Sequence, residues 1–149
     1  MPVFSLVGTA ALAAVLTVTA PDAAPPPCKL TGKHPAKVKV GLATIDKDGK
    51  TLEVPVLYSC SDATHVGVGA GQPPRPKQGK PKYDRVGGGF ITATCDGKLQ
   101  NTTIKADPQR TFTGAWEKGK AATVGANVVL HQDKCVYILA SDVKDESLR

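Results

Sequence analysis

The stretch Thr51-Leu-Glu-Val-Pro-Val-Leu-Tyr-Ser-Cys60 decides the fold. Leu52, Val54, Val56, Tyr58 and Cys60 share one side of it, and Thr51, Glu53, Pro55, Leu57 and Ser59 share the other. Successive side chains of an extended chain point to opposite faces, so a period of two with one apolar side marks a half-buried β-strand. Proline has no N–H to give to a ladder. Pro55 therefore belongs at an edge or at a position outside the bonding pattern.

The same period recurs on both sides of this strand. Val38, Val40 and Leu42 alternate with Lys37, Lys39 and Gly41, and Asp48-Gly49 supplies turn chemistry, so residues 37–60 read as a hairpin. Val66, Val68 and Ala70 mark a third strand. Ile91, Ala93 and Cys95 mark a fourth, ahead of a tight Asp96-Gly97 turn, and Thr102, Ile104 and Ala106 a fifth. Gly87-Gly88-Gly89 precedes the fourth strand, where glycine serves a turn or a bulge. Ala122, Val124, Ala126, Val128 and Leu130 form a sixth, and Cys135 to Ala140 a seventh after a His131–Lys134 turn. No stretch carries the apolar period of a helix. About seven short strands at this spacing predict an immunoglobulin-like antiparallel β-sandwich, with a small barrel as the alternative. The charged tail from Asp142 to Arg149 is expected to fray.

Composition agrees with one such domain. The 149 residues are 41% hydrophobic and 21% charged, too apolar for disorder and long enough for one core. Aromatic residues make up only 5%, against 15 Gly and 12 Pro, which favours turns between short strands over long helices. Residues Val3 to Ala20 carry no charge and are apolar or small, as in the apolar region of an export signal. A membrane anchor is the rival, but the run reaches only the lower bound for a span and is diluted by Ala, Thr and Gly. No cation precedes the run, and cleavage positions from Ala20 to Ala24 are open. The expected organisation is a signal peptide over 1–24, a Pro-rich spacer over 25–36, the sandwich over 37–143 and a charged tail over 144–149. Removing the signal deletes only Asp22 among charged groups and raises the net charge from +6 to +7.

Cys28, Cys60, Cys95 and Cys135 all lie beyond the signal. An even number behind an export signal points to two disulfides in an oxidising compartment. Steps of 32, 35 and 40 residues, with no Cys-x-x-Cys pair, do not suit a zinc site. Spacing leaves three pairings open. Cys60–Cys95 with Cys28–Cys135 is the expected one, because the first joins two central strands and the second ties the start of the chain to its last strand.

Tyr58-Ser-Cys60, Thr94-Cys95-Asp96-Gly97 and Phe112-Thr-Gly-Ala-Trp116, followed by an Ala/Val-rich strand, carry a likeness to a known group. Residues 37–130 resemble small secreted actinobacterial immunoglobulin-like β-sandwich domains of unknown function. The resemblance implies compartment and fold, and no activity. Cys28 and Cys135 fall outside the resembling core.

Candidate chemistry is sparse. Gln72 to Arg85 holds five cations (Arg75, Lys77, Lys80, Lys82 and Arg85), four prolines and one acid. Its prolines favour an extended chain, and its charge suits an anionic polymer of the cell envelope. The same segment serves as a connecting loop in the simplest reading, or as the loop of a secreted protease inhibitor in another. As inhibitor it is handicapped by Arg75-Pro76 and Lys80-Pro81, which are poor scissile bonds. Tyr83 alone is not the stacking platform of a single-strand binder, so no specific nucleic acid is expected. Asp46-Lys-Asp48-Gly49 opens like a calcium loop but lacks the later ligands, so it reads as a turn. His34, His65 and His131 are isolated in sequence, and Trp116 beside Lys118 and Lys120 is either core or a small ligand face. No nucleophile elbow, phosphate loop or carboxylate pair is present as a motif. The expectation is a monomeric, secreted, non-catalytic binding module without cofactor, contacting its ligand through residues 75–85; the alternative is the protease inhibitor.

Overall fold

The computed structural model describes residues 27–73, 85–109 and 114–149. The expected signal peptide and the cations Arg75, Lys77, Lys80 and Lys82 lie outside them. Eight antiparallel strands and no helix make up the described chain. They are β1 (Ala36–Val40), β2 (Thr44–Ile45), β3 (Leu52–Cys60), β4 (His65–Gln72), β5 (Arg85–Thr92), β6 (Gln100–Pro108), β7 (Ala121–Gln132) and β8 (Cys135–Ser147). The spatial order is β1-β3-β6-β5-β4-β7-β8, with the short β2 also on β3. Three strands, β1-β3-β6, thus oppose four, β5-β4-β7-β8, in an immunoglobulin-like sandwich. The end of β6 joins the layers by pairing Asp107 and Pro108 with Gly88 and Gly87.

The inward positions are those that the alternation picks out. Leu52, Val54, Val56 and Tyr58 meet Val66, Val68, Ala70, Val124, Ala126 and Val128 in one core, closed by Ile104 and Ala106 from β6. Pro55 sits just beyond the last β1–β3 pair, Val40–Val56, where β1 has ended and no N–H is required of it. Its carbonyl still accepts from the Gly41 N–H at 2.7 Å.

Both disulfides form as paired from the sequence, Cys28–Cys135 and Cys60–Cys95. Cys95, however, lies past the end of β5 and not within a strand. Closing loops of 107 and 35 residues restricts the unfolded chain by about 5 and about 4 kcal/mol in the chain-entropy picture.

Two elements differ from the sequence reading. Gly87-Gly88-Gly89 is no turn; it lies inside β5, which starts at Arg85. A Cβ on Gly89 would overlap the Lys105 carbonyl, and one on Gly87 would come within 3.0 Å of the Trp116 ring. Glycine is there so that β5 can cross close to β6. The tail does not fray. β8 runs to Ser147 against β7, and Leu148 is buried. Here the alternation is inverted: Asp142, Lys144 and Glu146 point inward and Val143 outward. Inside, Asp142 accepts the Val40 N–H at 2.8 Å and Glu146 accepts the Ala43 N–H at 2.6 Å. Carboxylates thereby satisfy the edge of β1 where no further strand pairs with it. Leu139 is the extra residue of a β8 bulge, between the Val128–Ala140 and Val129–Ile138 pairs.

The β7–β8 connection is tighter than expected. β7 continues through Gln132, and Asp133-Lys134 alone make the turn, with φ of 50° and 63°, as a two-residue hairpin of matching twist requires. At the other end, Asp46 to Thr51 forms the β2–β3 turn. Asp48 accepts the Lys50 and Thr51 N–H groups at 2.7 and 2.9 Å. These bonds, the one from Thr51 foremost, hold its carboxyl below the ordinary aspartate range. A carboxyl held low in the folded state adds stability above the ordinary range and loses it as pH falls through the folded value. A carbon-detected titration is expected to show Asp48 protonating below the ordinary aspartate value, and Thr51→Ala, which keeps both backbone bonds, should move it back only in part.

Candidate functional site

The segment Ala115 to Glu117 ties together the base of the basic segment. Gln72, at the end of β4, is buried; its amide donates to the Glu117 carbonyl at 3.0 Å and accepts the Glu117 N–H at 2.9 Å. Arg85, at the start of β5, donates to the Ala115 carbonyl and pairs with Glu117 at 3.0 Å. Trp116 lies between them in the core. Its indole N–H donates to the Lys50 carbonyl at 2.6 Å, so it is not a ligand face. Of the five cations expected to contact a ligand, Arg85 is thus built into the scaffold, and the other four lie outside the described residues.

A second feature is the outer face of β5-β4-β7-β8. In His65-Val-Gly-Val-Gly-Ala-Gly71 the apolar residues Val66, Val68 and Ala70 point into the core. His65, Gly67, Gly69 and Gly71 therefore point out. Register places Thr92, Phe90, Gly88 and Val86 beside them on β5, and Val129, Asn127, Gly125 and Thr123 on β7. The centre of the face is peptide backbone without side chains. A shallow trough of about 250 Å³ lies there, floored by Gly69, Gly71 and Gly125 and walled by Val86, Thr123 and Val143. Among the described residues, nothing stands within 4 Å of the point where a Gly69 Cβ would be.

Beside the trough the face rises. Phe90, 72% exposed, stands opposite Gly67 and makes an edge contact with the His65 ring at 5.3 Å. His65 in turn meets His131 at 5.2 Å. These histidines, isolated in sequence, are neighbours because β4 lies on β7. Along β8, Val136, Ile138 and Val143 are each about 60% exposed on the same face. Asp145 holds the Thr123 hydroxyl at 2.6 Å and places a carboxylate on the rim.

Sequence reasoning missed this face. The signal was the other half of a pattern already read: in Val-Gly-Val-Gly-Ala-Gly the valines give the strand and the glycines give its bare side. Glycine weakens a strand interior, and Gly69 has neither a positive φ nor, among the described residues, a close neighbour to require it. Gly69→Thr is therefore expected to raise stability by about 0.5–1 kcal/mol in urea unfolding. No gain would mean that the backbone at Gly69 needs glycine after all.

Fold and face together define a disulfide-stapled, immunoglobulin-like sandwich with an open apolar sheet surface. No protein-family model matches the chain, and no curated protein or solved structure matches it.

Proposed function

We propose that this chain is a secreted, non-catalytic binding module whose contact surface is the outer face of β5-β4-β7-β8. The observation that carries the reading is the trough itself, a bare backbone floor at a position where a side chain would fit and stabilise. Exposed apolar surface gathered on one face marks an interaction site more often than a scatter of single residues does. The two disulfides suit an oxidising, extracellular compartment, and no helix among the described residues is long and apolar enough to cross a membrane.

Contact with an anionic polymer through Arg75, Lys77, Lys80 and Lys82 is the second reading. The bracing of Gln72 and Arg85 favours it, because a segment with fixed ends loses less entropy on binding. Binding of the disulfide-intact protein to purified envelope fractions and to heparin, at low and physiological salt, separates the two. The face reading expects binding that survives salt, disappears with Phe90→Ser and persists when the four cations become glutamine. The reverse pattern assigns the contact to the basic segment.

A further inference from the structure

We propose that the partner seated on this face is a second copy of the chain, each Phe90 entering the trough of the other. The inference rests on the reading of this face as the contact surface.

Knob and hole occur on one surface. Phe90 pairs with Gly67, and the trough begins at the next outward residue of the same strand, Gly69. The two are thus about 7–10 Å apart along and across the strands. A two-fold axis lying between the facing sheets, midway between knob and hole, exchanges them and makes the surface self-complementary. A phenyl ring fits within 250 Å³, and the bare glycine floor lets it settle against peptide planes. Phe90 is already braced by the edge of His65, so little is lost in fixing its orientation.

Area and charge agree with this partner. Four strands at about 4.8 Å with four outward residues each give a footprint of roughly 450 Å². That is about half of the roughly 800 Å² per partner of a standard interface, the size of a weak, concentration-dependent dimer. Apart from the histidines, Asp145 is the one ionisable group among the described outward residues of this face, and it sits at the rim. The other charged groups of β8, Asp142, Lys144 and Glu146, point the other way, where the two carboxylates bond to Val40 and Ala43. A centre without charges suits like meeting like, since no cation or acid is brought against its own copy. The net positive charge opposes association at long range, so the dimer should tighten as salt rises.

Sedimentation equilibrium of the disulfide-intact protein tests the proposal. A concentration-dependent dimer is expected. Phe90→Ser (no knob) and Gly69→Leu (no hole) should each weaken it by about a thousandfold, because each variant homodimer loses both knob-and-hole pairs at about thirtyfold apiece. Both positions are open to solvent, so both variants should match the parent in circular dichroism. An equimolar mixture of the two variants keeps one intact knob-and-hole pair and should form a heterodimer tighter than either variant forms alone. A monomer at every concentration overturns the proposal, as does a dimer indifferent to both variants or a mixture no tighter than its components. If the protein is monomeric and Phe90→Ser still abolishes envelope binding, the contact-surface reading survives without the dimer. If envelope binding also ignores Phe90→Ser, both fall.

Discussion

Gly89→Ala is expected to destabilise the fold by about 3 kcal/mol or more, from the addition of one methyl group. Inserting atoms into a close contact costs about 1–3 kcal/mol when side chains can yield, and more when they cannot. The obstacle at Gly89 is the Lys105 carbonyl of β6, and backbone does not rotate aside. The crossing of β5 over β6 would have to open. Gly88→Ala is the control, because its Cβ would meet the Val68 carbonyl at an ordinary 3.5 Å. It should cost under about 1 kcal/mol. Urea unfolding of the two variants measures the contrast. Equal, small losses would show that the layers are not joined as closely as described.

Trp116→Ala should cost about 3–5 kcal/mol, the range for removing a buried tryptophan. Three things fail together. The core loses its largest ring beneath Gly87, the Lys50 carbonyl loses its indole donor, and Ala115–Glu117 loses its anchor. That segment holds Gln72 and Arg85, so the loss should reach the connection between β4 and β5. Faster proteolysis between residues 73 and 84 is expected in Trp116→Ala at a temperature where the core remains folded. Trp116→Phe keeps most of the packing and leaves the carbonyl without its donor, at a cost of about 1–3 kcal/mol. Unchanged proteolysis in both variants would separate Trp116 from the base of the segment.

Where apolar side chains alternate against polar ones, the sequence was legible. The alternation gives β3, β4 and β7 their correct inward residues, and the expected disulfide pairing forms although Cys95 lies past the end of β5. β5 was read late because three of its eight residues are glycines placed by a close crossing, and nothing local distinguishes that use of glycine from a turn. The end of β8 reads as a loose tail in the sequence because its inward charges bond to Val40 and Ala43, partners about 100 residues away. The outer face was invisible for a related reason. Its floor is made of missing side chains on separate strands, and only the register that sets Gly69 beside Gly88 and Gly125 turns three weak positions into one surface.

Contact through this face, and no other, is what we propose. Amide chemical shifts of the isotopically labelled, disulfide-intact protein test it most directly. They would be recorded on dilution and again on addition of envelope fragments. The shifted amides are expected to cluster on Gly67, Gly69, Phe90, Gly125 and Val143. Shifts confined to other surfaces, with the glycine amides of the trough unmoved in both experiments, would contradict it.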